Sequence, residues 1–132
     1  MSDIERPHLE TRNAEPRDIP GIIALSKRVY RDFPPYTRGQ INGHITAFKA
    51  GTFVVLYDGE IVGYAATMIL AEEKALGQHS WGEVTGGGYA AMHDRKGEWL
   101  YGTEVCVDPD RRRLRIGKRL YDARRRLCQD LD

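Results

Sequence analysis

At 132 residues the chain has the length of one domain, enough to bury roughly two thirds of its unfolded surface around a single core. Its 20 Lys plus Arg against 19 Asp plus Glu leave a net charge of +1, so the field of the whole molecule favours neither nucleic acid nor an acidic membrane. No eighteen-residue apolar run and no basic-then-apolar leader occurs, which predicts a cytoplasmic protein with no membrane segment.

The first predicted element is a short strand over 7–13, "PHLETRN". A helix follows in "EPRDIPGIIALSKRVY", with Pro16 at its first position and Asp18 in its first turn, both favoured there. Ile19, Ile22, Ile23, Ser26 and Val29 recur at three- and four-residue steps and form its apolar face. Pro34 and Pro35 end any helix in "RDFPPYTRG", leaving a loop that carries aromatic side chains. A second helix is predicted from Thr37 or Arg38 to Lys49, with Ile41, Ile45 and Phe48 on one side and Gly51 as its stop.

"TFVVLY" and "EIVGYAATMIL" are rich in branched and aromatic residues, and Asp58-Gly59 between them is a tight-hairpin dipeptide. An irregular stretch to about Gly97 includes "TGGGYAAMHD"; so long a connection is usually functional or mobile. "EWLYGTEVCV" then reads as a strand apolar on both sides. Trp99, Tyr101, Val105 and Val107 are expected on one face, and Leu100 and Cys106 on the other beside Glu104. Such a strand suits a sheet covered on both faces. Asp108-Pro109-Asp110 ends it, and Ile116, Leu120, Ala123, Leu127 and Leu131 mark a final amphipathic helix. A strand followed by such a helix normally returns to a parallel strand. None follows here, so the fourth strand is expected to keep an open edge, through which a second copy or a covalently fused continuation could pair.

Nine of the 20 basic residues lie between 111 and 126, in and after "VCVDPDRRRLRIGKRL". Amides in the first turn of a helix lack partners and favour negative charge. The segment Arg112, Arg113, Leu114, Arg115, Ile116, Gly117 and Lys118 is therefore placed to hold a pyrophosphate, and Gly117 lets a ligand approach the backbone closely. A nucleic-acid-binding helix is the weaker reading of the same cluster, because the overall charge is balanced and one stripe of the helix is needed for packing. Arg124, Arg125 and Arg126 are expected on a solvated face. Cys106 and Cys128 show neither CxxC nor metal-ligand spacing and read as buried free thiols. The four histidines show no ligand spacing, so no metal is expected.

The element order and these residues resemble the GNAT superfamily of acetyl-CoA-dependent N-acyltransferases. That family's cofactor motif is Arg or Gln, two residues, Gly, one residue, then Gly or Ala. Arg112 and Gly117 fit it, and Arg115 stands where the internal glycine belongs. "TGGGYA", "YGTEVCVDPD" and "LRIGKRLYDARRRLC" are similar to acetyltransferase-like domains fused ahead of a carbon–nitrogen hydrolase (nitrilase-like) domain. The resemblance implies an α/β fold, a mixed sheet with flanking helices. Residues 1–132 would form a single acyl-CoA-binding domain, incomplete after the helix that follows the fourth strand. The family's cleft-opening fifth strand, and a helix that often supplies a tyrosine to the leaving thiolate, would come after residue 132.

By the same resemblance, the backbone of Val105, Cys106 and Val107 would face the pantetheine arm and thioester of acetyl-CoA or another acyl-CoA. The loop from Arg112 to Lys118 would take the pyrophosphate. Glu104 would accept a proton from the amine, directly or through water, as the amine attacks the thioester without a covalent enzyme intermediate. Tyr30, Phe33 and Tyr36 would line the side on which a small-molecule or peptide amine enters. Two alternatives stand beside catalysis: Glu104 as a strand carboxylate paired with an arginine, and the whole domain as a non-catalytic acyl-CoA-binding or docking module of a larger enzyme.

Overall fold

The computed structural model describes residues 8–31, 34–70, 93, 94, 96, 97 and 99–131. Phe33 and most of the glycine-rich stretch between the third and fourth strands lie outside them. Four strands, β1 (Leu9–Asn13), β2 (Thr52–Tyr57), β3 (Glu60–Leu70) and β4 (Trp99–Val107), form one sheet in the order β1-β2-β3-β4. All three pairings among them are antiparallel. Helices α1 (Ile19–Val29) and α2 (Arg38–Ala47) precede β2, and α3 (Ile116–Leu131) follows β4.

Local chemistry explains most of these boundaries. Pro16–Asp18 forms a single 3-10 turn before α1. Asp18 fixes that turn by accepting the Glu15 amide at 2.8 Å and both guanidinium nitrogens of Arg12 at 2.8 and 2.9 Å. Thr37 and Gln40 close a reciprocal capping box at the start of α2, with bonds of 3.1 and 3.0 Å, satisfying amides that the helix itself leaves open. Asp58 and Gly59 both take positive φ, at 48° and 87°, which is what a two-residue hairpin of matching twist requires.

The sheet divides the core in two. Ile19, Ile22, Leu25 and Ile41 pack with Val54, Leu56, Tyr64 and Cys106 on the α1/α2 face. Phe53, Val55, Val62 and Ala65 pack with Ile116, Leu120 and Leu127 on the α3 face. Each fully buried large aliphatic residue contributes roughly 1.5–3 kcal/mol relative to exposure. A Cβ at Gly63 would lie 2.4 Å from Ile116 Cγ2, so this bare backbone lets the start of α3 settle directly on the sheet.

One expectation about β4 is corrected. Ala66 pairs with Glu104 but Thr67 pairs with Gly102, so Thr103 is an extra residue and β4 is bulged there. A bulge reverses the alternation of faces beyond it. Leu100 accordingly packs with Val107 against α3, whereas Cys106 packs against the α1/α2 side. The end of α3 also departs from the predicted stripe. Ile116, Leu120 and Leu127 are buried, but Leu131 is 53% exposed and Cys128 is exposed, because the buried stripe closes at Leu127.

Candidate active site

Past the bulge, β4 directs Glu104 toward α1 and the loop that enters α2. Tyr30 caps the end of α1, its amide bonded to the Ser26 carbonyl at 2.8 Å. Tyr36 stands just before the Thr37 cap of α2. The Tyr30 hydroxyl donates to Glu104 Oε1 at 2.5 Å and the Tyr36 hydroxyl donates to Oε2 at 2.6 Å. The Val105 amide donates to Oε1 as well, at 2.9 Å. Burial first, and then the hydrogen bond to Glu104, push both phenols well above the ordinary tyrosine range. They therefore remain protonated donors. A cavity of 530 Å³ opens among Tyr30, Tyr36, Pro34, Pro35 and Glu104. Of the three predicted acceptor-side aromatics, Tyr30 and Tyr36 meet Glu104, and Phe33 is not among the described residues.

A buried polar layer supports Tyr36. Its ring meets His44 edge-on at 5.4 Å between centroids, and His44 Nδ1 shares a 2.6 Å hydrogen bond with the Tyr64 hydroxyl. His44 is fully buried, which the apolar spacing of α2 did not suggest. Ile41, His44 and Ile45 nevertheless share a helical face.

Along β4, Val105 is 45% exposed and no described strand pairs with the outer edge. Cys106 is buried, and desolvation, then the nearby Glu104 charge, push its thiol up to about 12 despite Arg28. It is a core thiol and not an activated nucleophile. Asp108, also buried, ends the strand. It accepts the Asp110 amide at 2.9 Å and lies 3.4 Å from Arg28 of α1.

The predicted anion loop runs through a 3-10 segment, Pro109–Leu114, into α3. Leu114 packs against the α3-side core and Ile116 is 1% exposed, so these two anchor the loop by their side chains. Arg115, at the position of the motif's internal glycine, takes φ +54°. The left-handed conformation that glycine adopts freely is thus kept by an arginine, at a cost of roughly 1–2 kcal/mol. At Gly117 a Cβ would meet nothing nearer than Val107 Cγ2 at 3.9 Å, so the chain's own packing does not demand glycine there. Lys118 bonds Asp122 across one helical turn at 2.9 Å, and Arg111 lies 3.4 Å from Glu60 and over the Tyr57 ring. Arg112 and Arg113 contribute their backbone to the 3-10 segment.

The expectation for Arg124 is corrected too. Arg125 and Arg126 are exposed, but Arg124 is not. Its guanidinium lies against Gly102, where a Cβ would be 2.9 Å from Nη1, and Nη2 points at the Glu104 carbonyl at 3.5 Å. Burial pulls its pKa below the arginine value. The signal was present: Arg124 falls four residues after Leu120 and three before Leu127, on the packed stripe, and its long apolar stem suits that place.

Among the described residues, no group of three His, Cys, Asp or Glu is placed to hold a metal ion, and no helix is long and apolar enough to cross a membrane. A second concavity of 580 Å³ between β1 and α3 is lined by Arg12, Arg119 and Arg126 as well as by Asp122 and Asp130. It mixes both charges and lies on the sheet face opposite to Glu104.

Comparison with known proteins agrees with this layout. The chain is 36% identical over 121 residues to the probable hydrolase YhcX of Bacillus subtilis, a match that takes in 92% of this chain and 24% of that protein. It is 30% identical over 129 residues to the uncharacterized N-acetyltransferase YkwB of the same organism, covering 92% of this chain and 56% of YkwB. The chain therefore spans little more than half, or less, of these relatives' length. Among solved structures it superposes on the GphF GNAT-like decarboxylase in complex with isobutyryl-CoA with a TM-score of 0.74 and 27% identity, covering 86% of this chain and 55% of the other. A hydrolase-named relative matched over a quarter of its length is consistent with a fusion context for this domain. The profile of the Acetyltransferase (GNAT) family matches residues 19–131, and with the sheet, the bulged fourth strand and the loop entering α3 this makes the chain a member of the GNAT family.

Proposed function

We propose that the domain is an N-acyltransferase that moves an acetyl group from acetyl-CoA to a small-molecule or peptide amine. The observation that carries this reading is the two-sided use of β4. A carboxylate held between two protonated phenols borders a cavity on one side, and the next residue, Val105, lies on the strand's exposed outer edge. At the end of the same strand, Gly117 leaves backbone uncovered at the entrance to α3.

The residues divide the work as follows. Amides of the Arg112–Lys118 segment, with Gly117 giving close approach, hold the diphosphate of the acyl-CoA, and the outer edge of β4 at Val105 to Val107 lines its pantetheine arm. The acyl-CoA supplies a thioester carbon for attack. Glu104 orients the amine and takes its proton, directly or through water, as the C–N bond forms. The C–S bond breaks and the departing thiolate takes a proton from solvent. Cys106 stays protonated and forms no covalent intermediate.

Acetyl-CoA should raise the melting temperature, and Gly117→Glu should abolish the rise while leaving the unliganded melt close to that of the parent. A flat response to every acyl-CoA would sink the proposal. A second reading is favoured by one observation: both Glu104 oxygens are already engaged, as a purely structural carboxylate would be. On that reading the domain binds acyl-CoA for a larger enzyme without turning it over. Transfer to any member of an amine panel, lost in Glu104→Gln, would decide against it.

A further inference from the structure

The cavity beside Glu104 has a charge pattern that selects among amines. Its walls include the rings of Tyr30, Tyr36, Pro34 and Pro35, and apolar surface dominates its lining. Glu104 is the one charged side chain lining it among the described residues. The remaining polar groups, Thr37 and Gln40, bond each other's backbone amides in the capping box. We propose that the acceptor is a monocation: a primary amine carried on a compact apolar or aromatic body, without a carboxylate and without a second ammonium. This rests on the acyltransfer reading and names the substrate class of the same site.

The argument is one of complementarity. A single carboxylate can offset one ammonium, and the phenol faces on either side add cation–π attraction. An amino acid brings a carboxylate as well. In this cavity that group would lose water beside Glu104, with no cation among the described lining residues to receive it. A diamine brings a second ammonium, which the proline and tyrosine surfaces cannot pair. An apolar body, in contrast, gains from every ring it covers. Because both phenols stay protonated, they add no negative charge that a polycation could use.

The test is a calorimetric titration of the chain near neutral pH with phenethylamine, phenylalanine and putrescine, alongside an acetyl-CoA melting shift on the same samples. Phenethylamine should bind at least about tenfold more tightly than either of the other two. Glu104→Gln should weaken phenethylamine by at least about tenfold. The inference is overturned if phenylalanine or putrescine binds as well as phenethylamine, if Glu104→Gln binds it unchanged, or if none of the three binds. A melting rise with acetyl-CoA but no preference among amines defeats this inference alone. Amine preference without any acyl-CoA response defeats the acyltransfer reading alone.

Discussion

The two ends of the candidate site are built by different means. Around Glu104 the structure is made of side chains: two phenols and an amide converge on one carboxylate at 2.5, 2.6 and 2.9 Å. At the entrance to α3 it is made of backbone, with a left-handed Arg115, a bare Gly117, and two anchoring residues beneath. Function at the first end depends on which atoms are present. At the second it depends on where the main chain runs. Mutations should therefore separate the two ends, one changing chemistry and the other changing binding.

The largest expected effect is a crossed pair. With acetyl-CoA at about 100 times its dissociation constant the parent gains about 2.7 kcal/mol; Gly117→Glu should lose all of it, and Glu104→Gln should keep it. In transfer assays Glu104→Gln should nevertheless fall at least about 100-fold at saturating acetyl-CoA. If Glu104→Gln also loses the acetyl-CoA stabilisation, the division between the ends is wrong.

Tyr36→Phe comes next. It removes one hydrogen bond to a charged acceptor, and urea melts should show a loss of about 1.5 kcal/mol with the acetyl-CoA response retained. Smaller still is Arg115→Gly, which should stabilise by about 0.5–1 kcal/mol, because relief of the left-handed strain outweighs the extra entropy of glycine. A destabilised Arg115→Gly would mean that the arginine side chain, and not the backbone, holds this end together.

Acidity gives a comparison outside both ends. Burial raises the Asp18 pKa, but the hydrogen bond from Arg12 and the Glu15 amide outweigh it, and the net direction is downward. A carboxyl whose folded pKa is depressed contributes stability that is fully present above its unfolded value of about 3.9, and that is lost as pH falls through the folded value. Melts of the parent and of Arg12→Met should therefore converge at low pH and differ most near neutrality. Equal differences at all pH values would deny the pair its role.

What could be read in the sequence was what the chain decides locally. Asp58-Gly59 forces a hairpin wherever the strands lie, and Thr37 with Gln40 starts a helix by itself. The loop entering α3 was likewise legible, because Pro109, Gly117 and the apolar steps of the helix are neighbours in sequence. The faces of β4 were not, since a bulge at Thr103 exists only relative to the register of β3. Tyr30, Tyr36 and Glu104 were each identifiable as candidates, but their convergence joins residues 68 and 74 positions apart. Arg124 was misread although its step along the α3 stripe was legible; what only the fold shows is Gly102 beneath it, which leaves room for a guanidinium.

The bulge also says what kind of genetic change this site resists least. Substitutions alter one group at a time, whereas β4 assigns its residues to the two sides of the sheet by counting. At its present length β4 without the bulge would put Leu100 and Glu104, four residues apart, on one side, whereas removing Thr103 leaves them three apart and still on opposite sides in plain alternation. Deletion of Thr103 should thus leave both residues in place, whereas one residue inserted between Leu100 and Glu104 with the bulge retained would bring both to one side, and one of them would have to give up its place. Variation in length within 99–107, more than variation in composition, is where relatives of this domain should be expected to part company in what they do.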